Sequence, residues 1–323
     1  MKAIVYHKYG SSEVLKLEEI DIPLVGDDQV LVKVRAVSIN PFDWHMMRGT
    51  PYFVRLLAGL LRPKISGFGN DVAGRIEAVG KNVTEFQRGD EVFGGGRGAL
   101  AEYVCASREG LVQKLGKLTF EQAAAIPVAG LTALQGLRDK GQIQPGQSVL
   151  IHGASGGVGT FAVQIAKSYG AEVTGVCSTR NVEMVLSIGA DHVIDYTKED
   201  FTKSGRRYDL IFDAVGDHTL LQLRRALEPK GILVMVGGAK LGRFGFGILF
   251  GMLETLVLSF FVSQKLIVMA AKRNGADLVV LNELVEAGKL TPVIDRSYPL
   301  SETADAVRYL ETGRAQGKVV ITP

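Results

Sequence analysis

Ser148-Val149-Leu150-Ile151-His152-Gly153-Ala154-Ser155-Gly156-Gly157-Val158-Gly159 decides how the rest of this chain is read. Its first five residues have the apolar centre of a buried strand. The run then passes with no spacer into a helical pattern in which Val158, Ala162, Ile165 and Ala166 share one face. The glycines between them permit a tight turn and close backbone approach, and Gly159 lets the helix pack against the strand. A helix start presents unmet N–H groups, so strand, glycine turn and helix together form a seat for a pyrophosphate. Ser155 belongs to this turn and is read as part of it, not as a nucleophile. The motif points to a dinucleotide.

Which dinucleotide depends on the end of the next strand, 172–178. An NAD site usually carries Asp or Glu there, which takes the ribose 2′-hydroxyl and repels a 2′-phosphate. The corner here reads Val176-Cys177-Ser178-Thr179-Arg180-Asn181, with no carboxylate. Ser178 offers a hydroxyl, and Arg180 offers a cation that can make charge-assisted bonds to a phosphate. A plain helix cap followed by a solvated arginine is the alternative. NADPH is the expected cofactor.

Outward from the turn, the chain changes character near Thr119. Before it, residues 30–37 alternate in the period-2 pattern of a half-buried strand. Short strand-like runs follow at 72–79, 91–93 and 99–105, broken by Gly94-Gly95-Gly96. That half reads as a compact, partly closed barrel. After it, residues 120–138 are helical with a break at Pro127. Strands at 148–152, 172–178, 208–214 and 232–236 then alternate with helices at 158–169 and 219–227, which implies a parallel sheet covered on both faces. Helices at 276–287 and 302–311 and strands at 293–295 and 318–321 complete the chain. The expected class is α/β.

Composition narrows the function. With 37 basic and 34 acidic residues and a net charge of +3, no strong field favours nucleic acid. Glycine contributes 39 of 323 residues, roughly 12% against a usual ~7%, so many tight turns are expected. Two cysteines, Cys105 and Cys177, can neither build a disulfide scaffold nor supply a metal cage, and a reducing compartment is the simplest setting. Residues 1–8 lack an apolar core of signal-peptide length, so a cytoplasmic location is expected. The most apolar stretch, 244–271, is interrupted by Glu254 and by Gln264-Lys265. Each uncharged piece is about 10 residues, short of the ~20 needed to span a bilayer. A buried or subunit-contacting helix pair is the first reading, and a peripheral membrane surface is the second.

Several motifs resemble those of one family. Ser38-Ile39-Asn40-Pro41-Phe42-Asp43-Trp44, Ala125-Ile126-Pro127-Val128-Ala129-Gly130-Leu131-Thr132-Ala133, Ser187-Ile188-Gly189-Ala190-Asp191-His192-Val193-Ile194-Asp195-Tyr196 and Gly317-Lys318-Val319-Val320 occur in order with the glycine turn. Together they resemble the zinc-independent quinone oxidoreductase branch of the medium-chain dehydrogenase/reductases. The resemblance covers essentially the whole chain.

It implies a GroES-like β-rich catalytic domain over 1–122, a Rossmann NADPH-binding domain over 123–290, and a segment 291–323 returning to the first. It further implies a homodimer and hydride transfer from NADPH to a quinone or an α,β-unsaturated carbonyl. By position, Asn40 and Thr132 would face the nicotinamide. Ser155, Gly156, Gly157 and Val158 would face the pyrophosphate, and Ser178, Arg180 and Tyr196 the 2′-phosphate. Val215, Gly237 and Lys318 are further candidates. For Asn40 the alternative is a residue that only shapes the turn before Pro41. For Tyr196 it is a half-buried strand end.

Zinc is not expected. The family's zinc enzymes carry a Cys and a Gly-His-Glu segment where this chain has Ile39-Asn40-Pro41 and Gly67-Phe68-Gly69-Asn70-Asp71, and a tetrahedral site needs three or four ligands. Without metal, donors near the carbonyl oxygen would stabilise the developing enolate. Asn40, Tyr52 and Lys318 are the catalytic candidates. Two other classes remain open: an NADPH-binding structural or regulatory protein, and a peripheral membrane-associated protein docking through 244–271.

Overall fold

The computed structural model describes residues 1–52, 54–64, 66–236 and 262–323. Gly237 and the greater part of the apolar run, 244–261, lie outside the described residues. The chain divides into two compact units, Met1–Leu131 with Arg273–Pro323, and Thr132–Lys272.

In the first unit, β1 (Lys2–Val5) and β2 (Lys16–Glu19) form a short antiparallel pair. The long β3 (Gln29–Ile39) follows; Val30, Val32, Val34 and Ala36 are buried while Lys33 and Arg35 face solvent. This is the alternation expected of a strand with one wet face. Helix α1 (Pro41–Arg48) starts with Asn40 as N-cap and Pro41 in the first turn, and stops at left-handed Gly49. Next come α2 (Val54–Ala58), β4 (Asp71–Val79), β5 (Glu91–Gly95), β6 (Tyr103–Ser107) and β7 (Leu111–Gln113).

Helix α3 (Phe120–Ala125) opens with a Thr119–Gln122 capping box and packs on β3 and β4. Pro127 ends it and begins α4 (Pro127–Leu134), which runs on into a π-type turn at Gln135–Lys140. The boundary between the units falls inside α4.

The second unit is a six-stranded sheet whose neighbours are all parallel. Its elements are β8 (Ser148–His152), α5 (Gly157–Ser168), β9 (Glu172–Cys177), α6 (Val182–Ser187), β10 (His192–Asp195), β11 (Tyr208–Asp213), α7 (Leu220–Arg225), β12 (Leu227–Met235) and β13 (Lys265–Val268). The spatial order β10-β9-β8-β11-β12-β13 reverses direction between β8 and β11. That is the doubly wound arrangement, whose ligand crevice lies beyond the strand ends at the reversal.

The chain then returns to the first unit as α8 (Gly275–Glu286), β14 (Ile294–Pro299), α9 (Thr303–Glu311) and β15 (Lys318–Thr322). β15 pairs with the far end of β3 through Val319–Ile39, Val320–Ser38 and Ile321–Val37. The sheet order is β14-β15-β3-β4-β5-β7, with β6 also on β3. The last strand thus completes the sheet begun by the first forty residues.

Two expectations need correction. The run 244–271 reads as a pair of helices, but its described end contains β13, paired in parallel with β12 through Ile232–Lys265 to Met235–Val268. Leu266 is buried there beside Leu233 in the sheet's core, so a four-residue edge strand hides inside a stretch too uniformly apolar to display a period. Helices α1 and α2 fall in a region read only as strands and turns. The two compact units divide at Leu131/Thr132 and Lys272/Arg273, where the resemblance implies domain boundaries at 122/123 and 290/291. Helix α3 packs against β3, β4 and β15, and α8 against β7, which keeps both helices with the first unit.

Candidate active site

Two polar centres stand out, one in each unit. In the second, β8 is completely buried from Val149 onward and delivers the chain into the glycine turn. Gly153 has φ +85°, a left-handed value that favours glycine. A Cβ on Gly159 would lie 2.0 Å from the carbonyl oxygen of Gly153, so helix and turn touch backbone to backbone. Gly156 differs: a Cβ there would meet only the Gly153 oxygen, at an ordinary 3.4 Å. The protein's own packing therefore does not demand glycine at 156, whereas a ligand approaching the backbone would. As N-cap of α5, Gly156 has no side chain to satisfy the N–H groups of the first turn, which includes Gly157 and Val158. The cradle fits a pyrophosphate.

Ser155 fits the spelling Gly-x-Ser-x-Gly, yet its partner argues against a nucleophile. Its Oγ accepts from Asn181 Nδ2 at 2.8 Å, while His152 turns to Asp213 at 2.9 Å. The Ser155–Asn181 bond ties the turn to the corner after β9. At that corner Ser178 is the N-cap of a 3-10 turn over Thr179–Asn181, and Arg180 and Tyr196 are both exposed. The Tyr196 amide donates to Cys177 O, which holds the residue beside the strand end.

The absence of a carboxylate expected here requires revision. Asp195, arriving from β10, accepts from Thr179 Oγ1 and from both the amide and the hydroxyl of Thr197, and pairs with Lys198. These hydrogen bonds, the one from Thr179 above all, hold its carboxyl well below the usual range. Its oxygens are committed to protein donors. Val215 lies where the chain leaves β11, its amide bonded to Asp213 at 3.0 Å. Thr132 is half-buried in α4.

The first unit contains a buried network that the sequence reading only partly anticipated. Asp71 opens β4 with no exposed surface, and its Oδ2 accepts from Ser38 Oγ at 2.9 Å and Asn40 Nδ2 at 2.8 Å. The amide of Val128, in the first turn of α4, donates to Oδ1 at 3.1 Å. Lys318 Nζ stands 3.7 Å from Asp71 Oδ2 and donates to Asn40 Oδ1 and the Ile39 carbonyl. A second carboxylate, Asp43, accepts from the Asn40 amide at 2.8 Å and from Asn70 at 2.6 Å. Asn70 in turn accepts from Arg273 at 2.6 Å. Asp71, Val128, Arg273 and Leu278 line one recess of this unit.

Burial dominates the electrostatics of this network. It pushes the Asp43 carboxyl up to about 6 despite the Asn70 hydrogen bond, raises Asp71 despite Lys318, and lowers Lys318 despite both aspartates. Asn40 and Lys318 are thus brought together, as partners of a carboxylate that the sequence reading did not single out. Tyr52 belongs to another group: the Arg55 guanidinium lies over its ring at 4.9 Å and over Tyr9 at 4.5 Å. The signal for the missed residues was available in Asn70-Asp71, which was read only for what it lacked.

Residues 26–116 match the family described as alcohol dehydrogenase GroES-like domain, and residues 188–321 match the one described as zinc-binding dehydrogenase. The 2-methylene-furan-3-one reductase of Solanum lycopersicum is 38% identical over all of this chain and 79% of its own length. The NADPH-dependent alkenal/one oxidoreductase of Arabidopsis thaliana chloroplasts is 36% identical over all of this chain and 80% of its own. Among solved structures, the quinone oxidoreductase from Coxiella burnetii superposes with a TM-score of 0.87 at 34% identity, covering 100% of this chain and 99% of that one. The chain belongs to the medium-chain dehydrogenase/reductase superfamily, in its quinone oxidoreductase branch.

The zinc in one family description does not fit the residues of this centre. Asn40 and Asn70 stand where the Cys and His ligands would be sought, with Asp71 in place of the Glu; Asn70 is bonded to Asp43 and Arg273, and Asn40 and Asp71 face the ammonium of Lys318. That internal cation meets the carboxylate's charge, and no thiol or imidazole takes part in the network as described.

Proposed function

We propose that the chain is an NADPH-dependent reductase of quinones or α,β-unsaturated carbonyls, working without zinc at Asn40 and Asp71. The observation that carries this reading is the glycine turn between β8 and α5, where Gly156 leaves room for a ligand that protein packing does not need. The printed names of the tomato, Arabidopsis and Coxiella relatives support the substrate class and the cofactor.

Bound NADPH supplies a hydride from its nicotinamide ring. The N–H groups at Gly157 and Val158 would hold the pyrophosphate, with Ser155 beside them and the bare Cα of Gly156 letting it approach, while Ser178, Arg180 and Tyr196 would hold the 2′-phosphate. Thr132, Val215 and Gly237 complete the proposed cofactor contacts. In the first unit, Lys318 and Asp71 position Asn40 by occupying its Oδ1 and one Nδ2 hydrogen, which leaves the second hydrogen for a carboxamide or carbonyl oxygen. Lys318 then acts through Asn40 rather than as a proton donor. Tyr52 remains the proposed donor toward the enolate, with solvent completing the protonation.

The reading includes a homodimer, which the apolar composition of 244–271 supports and light scattering in solution would test. It also includes a reducing cytoplasmic setting, supported by the free thiols of Cys105 and Cys177. Among the described residues no helix is long and apolar enough to cross a membrane. The test is loss of nicotinamide absorbance with NADPH or NADH across a panel of quinones and enones. Turnover preferring NADPH is expected. Tight NADPH binding with no turnover on any electrophile would instead favour a structural or regulatory binding protein.

A further inference from the structure

The glycine turn accounts for Gly153 to Gly159 but not for His152, which is 3% exposed and carries a chain of ionisable partners. Its Nδ1 lies 2.9 Å from Asp213 Oδ1. That same oxygen accepts from the amides of Val215 and Gly216, both at 3.0 Å. A carboxylate accepts, so Nδ1 of His152 is the nitrogen that donates to Asp213, and Nε2 is left as the nitrogen able to offer a lone pair.

That lone pair faces Asp217 Oδ1 at 3.6 Å, another acceptor. His218 Nδ1 reaches the same carboxylate oxygen at 2.6 Å. The other nitrogen of His218, Nε2, has Asp200 Oδ1 at 3.6 Å behind it. Phe201 packs against both imidazoles, at 5.2 and 4.9 Å between ring centroids. Each imidazole therefore has one nitrogen backed by a carboxylate and the other turned toward Asp217. One donor atom from each of His152, Asp217 and His218 falls within a 4.8 Å group.

We propose that His152 Nε2, Asp217 and His218 Nδ1 form a binding site for a divalent transition metal, with Zn(II) the best match, and that Asp213 orients the buried ligand. Two imidazoles and one carboxylate suit such an ion, and a water would complete a tetrahedron. Bonds of ~2.0–2.1 Å place tetrahedral ligands roughly 3.3 Å apart, close to the 3.6 Å between His152 and Asp217. Asp217 is half-exposed and can pivot to close the remainder. The site shares no residue with the Asn40–Asp71–Lys318 network. It would fasten the segment after β11 to the end of β8.

The test uses the full chain, stripped with a chelator and titrated with zinc sulfate by calorimetry, and with Co(II) by visible absorption. A single saturable equivalent is expected, with the intense visible bands of tetrahedral cobalt. His218→Gln and Asp217→Asn, both at the surface end of the site, should each weaken binding at least tenfold while far-UV circular dichroism stays unchanged. Asp213→Asn should weaken it about 10–100-fold, as loss of a carboxylate behind a histidine ligand does. His7→Gln and His192→Gln should change nothing. No saturable binding by the parent protein would overturn the proposal, and so would binding equal to the parent's in both His218→Gln and Asp217→Asn.

Discussion

Replacing Lys318 by Met tests the buried network of the first unit most sharply. The ammonium is 4% exposed and Asp71 is 0% exposed, so solvent cannot screen the carboxylate once its cation is gone. Removing one partner of a buried pair typically costs ~3–5 kcal/mol. Ser38, Asn40 and Val128 would still donate to Asp71, which argues for the lower end, about 3 kcal/mol. At ~2–4 °C per kcal/mol for a unit of 150–250 residues, the melting temperature should fall by roughly 6–12 °C.

The loss should depend on pH. Burial already raises Asp71, and without Lys318 its folded value rises further. The folded protein then keeps a proton that the unfolded chain has lost, so the variant's stability falls as pH rises above the unfolded value of ~3.9. Thermal melts at about pH 5 and about pH 8 should show the larger deficit at the higher pH. Adding Asp71→Leu removes the stranded charge and should restore at least half of the loss. A melting temperature within about 2 °C of the parent at both pH values would refute the reasoning. So would a double variant less stable than Lys318→Met alone.

Asp43, raised from 3.8 to about 6, makes a second pH prediction. A folded carboxyl titrating above its unfolded value contributes stability that is complete below about pH 4 and lost by about pH 6, roughly 3 kcal/mol over that window. Asp43→Asn should flatten this part of the profile in urea titrations; an unchanged slope would count against it. Gly159→Ala puts a Cβ 2.0 Å from the Gly153 oxygen and should lower stability by ~1–3 kcal/mol or more. Gly156→Ala should lose no more than about 1 kcal/mol of stability, the difference between Gly and Ala at an N-cap, yet bind NADPH at least about tenfold more weakly by fluorescence titration, a loss of ~1.4 kcal/mol. Equal NADPH affinity in Gly156→Ala would remove the cradle. Arg180→Glu should cut the preference for NADPH over NADH by about 100-fold, since it trades a charge-assisted bond for repulsion; an unaltered ratio of the two kcat/KM values would remove Arg180 from the 2′-phosphate site.

Much of this was legible because strand and helix periods are local. Ser148–His152 and the helix after it read directly from the sequence, and the Gly159 contact with Gly153 is the close packing that the glycine spacing implied. The Pro127 break followed from proline's missing N–H. What escaped was long-range. Asp195 reaches the corner beside Thr179 from a different strand, and Asp71 gathers Ser38 and Asn40, Val128, and Lys318 from three separate stretches. No spacing rule joins residues 38 and 318. Helix α1 was missed because a capping box of Asn40 and Asp43 looks like turn chemistry until the helix is seen beyond it. The strand β13 was hidden by a run apolar on both faces, which fits a buried strand as well as a helix.

The account's central claim is hydride delivery from NADPH to carbon, and an isotope reads it directly. The protein would be incubated with an enone and NADPH carrying deuterium at the transferring position of nicotinamide C4. The product would then be located by NMR. Deuterium on the former β-carbon, with hydrogen from solvent at the α-carbon, is the predicted result. Enone reduced without the label, or NADPH consumed with the enone untouched, would contradict the account.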